Sequence, residues 1–354
     1  MKKIRVLVVG MGNMGMSHAR AYATNSGFEI VGLCSRNIEQ RKDLSHEFSG
    51  IALFGDFAEA IRELKPDAVS INTWPDTHAA YARMALEANC HVFIEKPLAD
   101  TVAAAHEIAA LAKSKKLKIV IGYILRVHPS WQKFVEIGRT LGKPLVMRMN
   151  LNQQSSGAQW EVHKHLMNSI SPIVDCGVHY VDVMCQVTGA KPTRVHAVGV
   201  RLTQDIASTM YNYGHLHVTF DDGSVGWYEA GWGPMMSETA FFVKDMIGPR
   251  GSVSIAMDET KNESSDVDSH TKTSALRVHH SALDAEGRFA KVDDVIAMDD
   301  EPRHQELCNR EQEIFLDAIL NDRDLDAHVE DAINSLRIVL AADESVRTGE
   351  VVRL

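Results

Sequence analysis

The chain contains no run of about 18 apolar residues, so no segment is long enough to cross a bilayer as a helix. Basic charge is not in excess: 37 Lys and Arg stand against 47 Asp and Glu, and the net of −10 repels nucleic acid and anionic membrane surfaces. Cysteine is sparse. Cys34, Cys90, Cys176, Cys185 and Cys308 are scattered, odd in number and without C-x-x-C spacing. That excludes a disulfide framework and a cysteine zinc site, and it fits the reducing cytosol. Met1-Lys2-Lys3 ahead of Ile4–Gly10 makes a poor secretion signal, because its apolar stretch is short and runs into glycines. Neither an internal repeat nor a linker is evident. What remains is an ordinary globular composition, 45% hydrophobic and 24% charged, over 354 residues that suit two domains.

The opening reads as strand, glycine turn, helix. Ile4–Val9 is a β-branched run suited to a buried parallel strand, followed by Gly10-Met11-Gly12-Asn13-Met14-Gly15 and a helix over Met16–Asn25. In such a turn one glycine permits the bend, one lets the backbone approach a pyrophosphate and one lets helix and sheet pack closely. The phosphates would then meet the positive end of the helix. A second strand, Phe28–Cys34, ends where a ribose-reading carboxylate belongs, yet Ser35-Arg36 stands there. A hydroxyl and a guanidinium accept a 2′-phosphate that a carboxylate would repel, which favours NADP over NAD.

Strands at Asp67–Thr73, His91–Glu95 and Lys118–Leu125 alternate with helices at His78–Ala88 and Thr101–Lys113. This predicts βαβ units and a doubly wound parallel sheet over residues 1–125, a Rossmann-type α/β domain. Ligands bind beyond the carboxyl ends of such strands, where Thr73-Trp74-Pro75, Glu95-Lys96-Pro97, and Tyr123 with Arg126 are placed. From 126 to 354 the texture changes to an α+β domain. Ser130–Thr140 reads as a helix, and Leu145–Asn150, Arg194–Leu202, His215–Phe220, Val225–Ala230 and Thr239–Met246 as a mostly antiparallel open sheet. Asp221-Asp222-Gly223 signals a hairpin, and Asp258–Thr273 a polar exposed loop. Helices near Glu306–Leu320 and Val329–Arg347 close the chain, and the last can pack back on the first domain.

Ser171-Pro172 is an N-cap and first-turn pair that opens a nearly apolar helix through Met184. Its polar members, Asp175, His179, Asp182 and Gln186, fall at i, i+4, i+7 and i+11, along one stripe. An Asp holding a His one turn away makes either a general base or a satisfied structural pair. In the preceding loop, Asn152–Asn168, His163 faces the substrate pocket and Trp160 offers an apolar platform or serves as core. His163/His165, His215/His217 and His279/His280 invite a metal, but a third ligand is not evident, and no metal is expected.

Gly10-x-Gly12-x-x-Gly15, Glu95-Lys96-Pro97 and Asp175-x-x-x-His179, in this order and spacing, resemble the Gfo/Idh/MocA family of sugar and polyol oxidoreductases. The resemblance runs to Ser345–Val352 at the end of the chain. It implies a Rossmann domain, a second domain whose open sheet assembles homodimers or homotetramers, and hydride transfer between nicotinamide and a hydroxyl-bearing carbon. Lys96 would then polarise the reacting oxygen, and His179 would exchange its proton, oriented by Asp175. Together these readings name Gly10, Gly12, Asn13, Met14, Gly15, Ser35, Arg36, Thr73, Trp74, His78, Glu95 and Lys96 as cofactor contacts. Lys96, Tyr123, Arg126, Trp160, His163, Asp175 and His179 are the substrate contacts. Ser169-Ile170-Ser171-Pro172 replaces the glycines common before the Asp, and Trp74 replaces a proline; both are closer to the inositol-dehydrogenase branch. Two alternatives stay open: an NAD-dependent glycosidase of the same family, and a non-catalytic dinucleotide sensor that binds a regulator.

Overall fold

The computed structural model describes residues 2–237, 242–256 and 273–354. The polar stretch expected at 258–273 and the start of the strand expected at 239–246 lie outside these residues, apart from Thr273 and the part from 242 onward. Contacts divide the chain into two units, Met1–Val127 with Arg303–Ile333, and His128–Pro302 with Asn334–Leu354.

In the first unit, β1 (Ile4–Val9), β2 (Phe28–Cys34), β3 (Ala52–Phe54), β4 (Ala68–Ile71), β5 (His91–Glu95) and β6 (Ile119–Gly122) form one sheet in the order β3-β2-β1-β4-β5-β6. All pairings are parallel. Between them run α1 (Asn13–Thr24), α2 (Lys42–Glu47), α3 (Phe57–Leu64), α4 (Pro75–Glu87) and α5 (Val102–Lys115). The central strands are apolar and fully buried, Val6, Leu7 and Val8 among them, as a sheet covered on both faces requires. The strand order reverses between β1 and β4, so Gly10 and Thr73 flank the switch point where doubly wound sheets bind ligands.

The second unit carries α6 (Pro129–Gly138), β7 (Val146–Gln154), α7 (Gly157–Leu166), α8 (Pro172–Asp175), α9 (Gly177–Thr188), β8 (Pro192–Val200), β9 (Tyr213–Phe220), β10 (Val225–Gly233), β11 (Lys244–Gly248), β12 (Gly251–Ala256), β13 (Ala275–His280) and β14 (Asp294–Ala297). With β15 (Val352–Arg353) these strands make a nine-stranded sheet ordered β14-β13-β12-β11-β7-β10-β9-β8-β15. Only β7 and β10 pair in parallel; every other neighbour is antiparallel. The hairpin signalled by Asp221-Asp222-Gly223 joins β9 to β10, with Gly223 at φ 83°. One face of the sheet buries Leu216, Val218, Tyr228 and Ala230. The other exposes Val146, Val198 and Val225.

Two expectations need correction. Residues 152–168 are not a loop: α7 forms there because a helix puts Trp160 and His163 on one buried face, three positions apart. The boundary at residue 125 let only the last helix pack back on the first domain, yet 303–333, which includes the helix before it, groups with the first unit. The returning segment is α10 (His304–Leu320) and the start of α11 (Asp326–Thr348). Phe315 and Ala318 of α10 join Tyr22, Phe28 and Phe93 in the core of that unit, so its apolar stripe is satisfied there.

Candidate active site

The glycine turn is built as a phosphate cradle. Gly10 adopts φ 85°, and a Cβ there would lie 2.5 Å from the Asn72 carbonyl oxygen. A Cβ on Gly15 would press into the carbonyl oxygen of Gly10, so the helix can approach the turn only without one. Gly12 differs: a Cβ there would meet nothing within 4 Å. It is the N-cap of α1 and supplies no capping side chain, which leaves the amides of the first turn, Asn13 and Met14 included, pointing into that open space. The arrangement suits a pyrophosphate.

Asn72 holds the turn from β4, its amide donating to Val9 O at 3.3 Å and Ser70 O at 3.2 Å. Ser35 is half-buried and Arg36 exposed at the end of β2. A second guanidinium stands close by: Arg41 donates to the Met11 carbonyl at 2.7 Å, inside the glycine turn, and pairs with Asp43. Sequence reasoning passed over Arg41, because nothing local distinguishes it from a solvated arginine.

At the end of β4 the Thr73 and Thr77 hydroxyls lie 2.6 Å apart, and Trp74, at the N-cap of α4, is 43% exposed. His78 does not reach out as a cofactor contact. It is fully buried, with Nδ1 2.7 Å from Pro97 O and Nε2 3.0 Å from Thr73 O, and so ties together the loops after β4 and β5. Burial pushes its pKa down, and a neutral ring donates to one of the two carbonyls at a time.

Glu95 is buried as well. Gln312 donates to His18 Nδ1 at 2.9 Å, which leaves His18 Nε2–H to donate to Glu95 at 2.8 Å. The other Glu95 oxygen accepts the Lys96 amide at 3.2 Å. Lys96 itself is half-buried. Tyr123 and Arg126 serve the packing of their own unit. Tyr123 is 1% exposed beside His328, and Arg126 pairs with Asp331 at 3.0 Å. His18, Cys308 and Glu311 have ligand atoms within 4.8 Å of one another, but both His18 nitrogens are committed to Glu95 and Gln312.

In the second unit the Ser-Pro helix start forms as expected, with Ser171 Oγ accepting the Val174 amide at 3.1 Å. The helix is broken into α8 and α9 at Cys176. Gly177 begins α9 where a Cβ would meet the Tyr228 ring at 2.8 Å, so the helix lies directly on β10. Along 172–188 every residue is buried except Asp175, His179 and Gln186. Asp182 is fully buried and accepts from Gln186 at 3.0 Å. The stripe therefore opens to solvent at its start, where Asp175 and His179 stand.

A polar platform borders Asp175. Gln153 Oε1 accepts from Trp232 Nε1 at 2.6 Å and from Cys176 Sγ at 3.3 Å. Because the indole N–H can only donate, the Gln153 amide is fixed with its NH2 turned the other way. His163 stacks on Trp232 at 4.6 Å and 13°, with Nδ1 3.0 Å from Ser155 Oγ. Burial pushes its pKa down, opposed in part by Asp175, so it is neutral near pH 7. Trp160 is 7% exposed, with Lys164 over its ring, and has a packing role. That Gln153, Trp232 and Cys176 meet had no sequence signal, since the contacts span 79 and 23 residues of chain.

A parallel sheet with a phosphate cradle at its switch point, joined to a unit that opens an Asp and a His from a buried helix, defines a dinucleotide-fold protein of the oxidoreductase type. Residues 4–123 match the sequence model of an oxidoreductase family with an NAD-binding Rossmann fold, and residues 134–244 match the GFO/IDH/MocA C-terminal domain. The chain belongs to the Gfo/Idh/MocA family.

It is 32% identical to UDP-N-acetylglucosamine 3-dehydrogenase of Acidithiobacillus ferrooxidans over 58% of this chain and 60% of that protein. It is 26% identical to the scyllo-inositol 2-dehydrogenase (NAD(+)) of Bacillus subtilis over 99% and 96% of the two chains. The matches to the Acidithiobacillus protein and to the D-glucoside 3-dehydrogenase of Escherichia coli span 60% and 54% of those relatives. Among solved structures, scyllo-inositol dehydrogenase from Lactobacillus casei with bound NAD(H) and scyllo-inositol shares the fold. Its TM-score is 0.77 at 21% identity, over 99% of both chains.

Proposed function

We propose that this chain is an NAD(P)-dependent dehydrogenase or reductase acting on a CH–OH group of a cyclic polyol, a sugar or a sugar derivative. The observation that carries the reading is the half-buried pair Asp175 and His179 at the start of an otherwise largely buried helix, in a chain that also has an open glycine cradle. The family and the names of its relatives support it.

A bound nicotinamide would supply the hydride exchange. Gly10, Gly12 and Gly15 with the α1 amides would hold its pyrophosphate, and the Thr73, Trp74 and Lys96 loops would border it. Lys96 would hydrogen-bond the reacting oxygen and stabilise developing alkoxide charge, while His179 takes or returns the hydroxyl proton. Asp175 would orient His179 and stabilise its protonated form. His163 as a neutral imidazole and Gln153 as a fixed amide donor suit the hydroxyls of a polyol.

NADP is the favoured cofactor, on the exposed Arg36 and the neighbouring Arg41, although one relative is named for NAD(+). The sheet face that exposes Val146, Val198 and Val225 among the described residues is the proposed surface for homodimer or homotetramer assembly. The scattered, buried cysteines suit a reducing cytosol.

The test is a screen of inositols, aldoses and glucosides with NAD+ and NADP+, following reduced cofactor by absorbance, with Lys96→Ala beside the wild type. Expected is turnover that Lys96→Ala loses while it still binds the dinucleotide. Unchanged turnover in Lys96→Ala would overturn the role of Lys96, and a wild type that binds no dinucleotide would overturn the whole reading.

A further inference from the structure

The turn that presents Asp175 is anchored from two distant parts of the second unit. α8 is a single turn, and Ser171 holds it twice: the Ser171 hydroxyl accepts the Val174 amide at 3.1 Å, and its carbonyl accepts the Asp175 amide at 2.9 Å. A helix this short has no ladder of its own to steady it, so the place of Asp175 follows that of Ser171. Ser171 is in turn held from behind. Its hydroxyl donates to Asp343 Oδ1 on α11 at 2.7 Å, and the Tyr211 hydroxyl, from the segment between β8 and β9, donates to the same oxygen at 2.5 Å. The two hydroxyls stand 2.9 Å apart.

The strands are shaped around Tyr211. Gly199 and Gly214 pair across β8 and β9, and a Cβ on them would come 2.8 and 2.9 Å from the Tyr211 ring. Glycine inside a strand weakens it and marks a close approach, and here two of them open a seat for one ring. Asn212 locks the next position: its Oδ1 accepts the Leu202 amide at 2.7 Å, and its Nδ2 donates to the Trp232 carbonyl at 2.8 Å. Burial pushes the Asp343 carboxyl upward, opposed by the Tyr211 and Ser171 hydroxyls. Drawing a carboxylate out of water onto two hydroxyls is costly. Ser171 alone satisfies the Val174 amide, so capping does not require the two groups behind it; what they add is a fixed place for Ser171.

We propose, resting on the dehydrogenase reading of Asp175 and His179, that Tyr211 and Asp343 are positioning residues for this pair, acting through Ser171 and the α8 turn. His179 follows directly on that turn, its amide donating to the Cys176 carbonyl at 3.2 Å, so a shift of α8 reaches both members. Proton transfer needs its partners within hydrogen-bond reach, and a misplacement of about 1 Å can cost a hundredfold in rate.

The experiment compares the full-length wild type with Asp343→Ala, Asp343→Asn, Tyr211→Phe and Ser345→Ala. Ser345 is the control, a buried hydroxyl on the same helix whose bonds go to the Ala197 amide at 2.9 Å and the Glu350 carbonyl at 2.6 Å instead. Hydrogen exchange of the Val174 and Asp175 amides reads the anchor without turnover. Fluorescence titration with NADPH and NADH reads cofactor affinity, and kcat and KM are taken on a substrate returned by the inositol, aldose and glucoside screen. Asp343→Ala should raise the exchange and lower kcat, each at least tenfold, about 1.4 kcal/mol, and leave dinucleotide affinity within about threefold. Asp343→Asn keeps an acceptor for both hydroxyls and should restore kcat, while Tyr211→Phe keeps the ring in its seat and should lose part of it. Ser345→Ala should melt lower yet keep wild-type exchange and kcat. Unchanged exchange in Asp343→Ala overturns the proposal, as does raised exchange with unchanged kcat. A kcat loss that Ser345→Ala reproduces would overturn it too, by tracing the loss to general stability. A wild type that turns over nothing in the screen counts against the dehydrogenase reading instead, and the exchange then decides the anchor by itself.

Discussion

Gly12 and Gly15 lie three residues apart in one turn, and the structure assigns alanine opposite effects at the two. At Gly15 the added methyl runs into the Gly10 carbonyl, a backbone atom that cannot swing aside. Overpacking typically costs about 1–3 kcal/mol, and a backbone obstacle puts this case at the upper end or beyond. At Gly12 the backbone is extended, at φ −78° and ψ −163°, and the methyl enters open space. Alanine is a weaker N-cap than glycine, which costs a few tenths to about 1 kcal/mol, while the stiffer unfolded chain returns about 0.4–1 kcal/mol. Stability should therefore change by less than about 1 kcal/mol.

That open space is where the pyrophosphate is proposed to sit, so Gly12→Ala should weaken dinucleotide binding at least tenfold, about 1.4 kcal/mol. Urea unfolding measures the first effect, and fluorescence titration with NADPH and NADH the second. A Gly12→Ala protein that binds as the wild type does would refute the cradle. A Gly15→Ala protein of wild-type stability would refute the close-approach argument.

Two further outcomes are expected. Arg36→Ala and Arg41→Ala should each weaken NADPH binding by tenfold or more and leave NADH within about threefold, because on the proposed reading a 2′-phosphate would meet both guanidinium groups and a 2′-hydroxyl would need neither; equal losses for both cofactors would sink the NADP reading. His328 is half-buried, accepts the Ile121 amide at Nε2 (2.9 Å) and is held well below the usual histidine range by desolvation of its ring and by Arg126. Folded, it stays neutral where the unfolded chain takes up a proton, so stability is full above about pH 6.5 and falls on acidification by up to about 1.4 kcal/mol per pH unit. His328→Gln keeps an acceptor without the titration, and urea curves at pH 7.5 and 5.5 should converge for it; an unchanged acid loss would show that other groups carry it.

The first unit was legible because its signals are local. A β-branched run, a glycine turn and a helix follow one another within 24 residues, and parallel order follows from their alternation. Asp175 and His179 were legible for a similar reason, as costly polar residues in an apolar helix. What escaped was decided across the chain. Glu95 meets His18 across 77 residues and His18 meets Gln312 across 294, and neither partner carries a pattern of its own. Trp232 reaches Gln153 across 79 residues. His78 and Tyr123 looked available from their places at strand ends, but the packing that buries them is not written in period or spacing.

The late segment that completes the first unit bears on how the protein is made. Phe315 and Gln312 leave the ribosome after almost the whole second unit, so the surface of α1 and the buried Glu95–His18 pair wait uncovered through most of translation. Folding from the amino terminus onward therefore cannot finish the nucleotide fold first. A polypeptide cut after Val127 would keep the glycine turn and all six parallel strands, yet lack the aromatic and the amide that seal them.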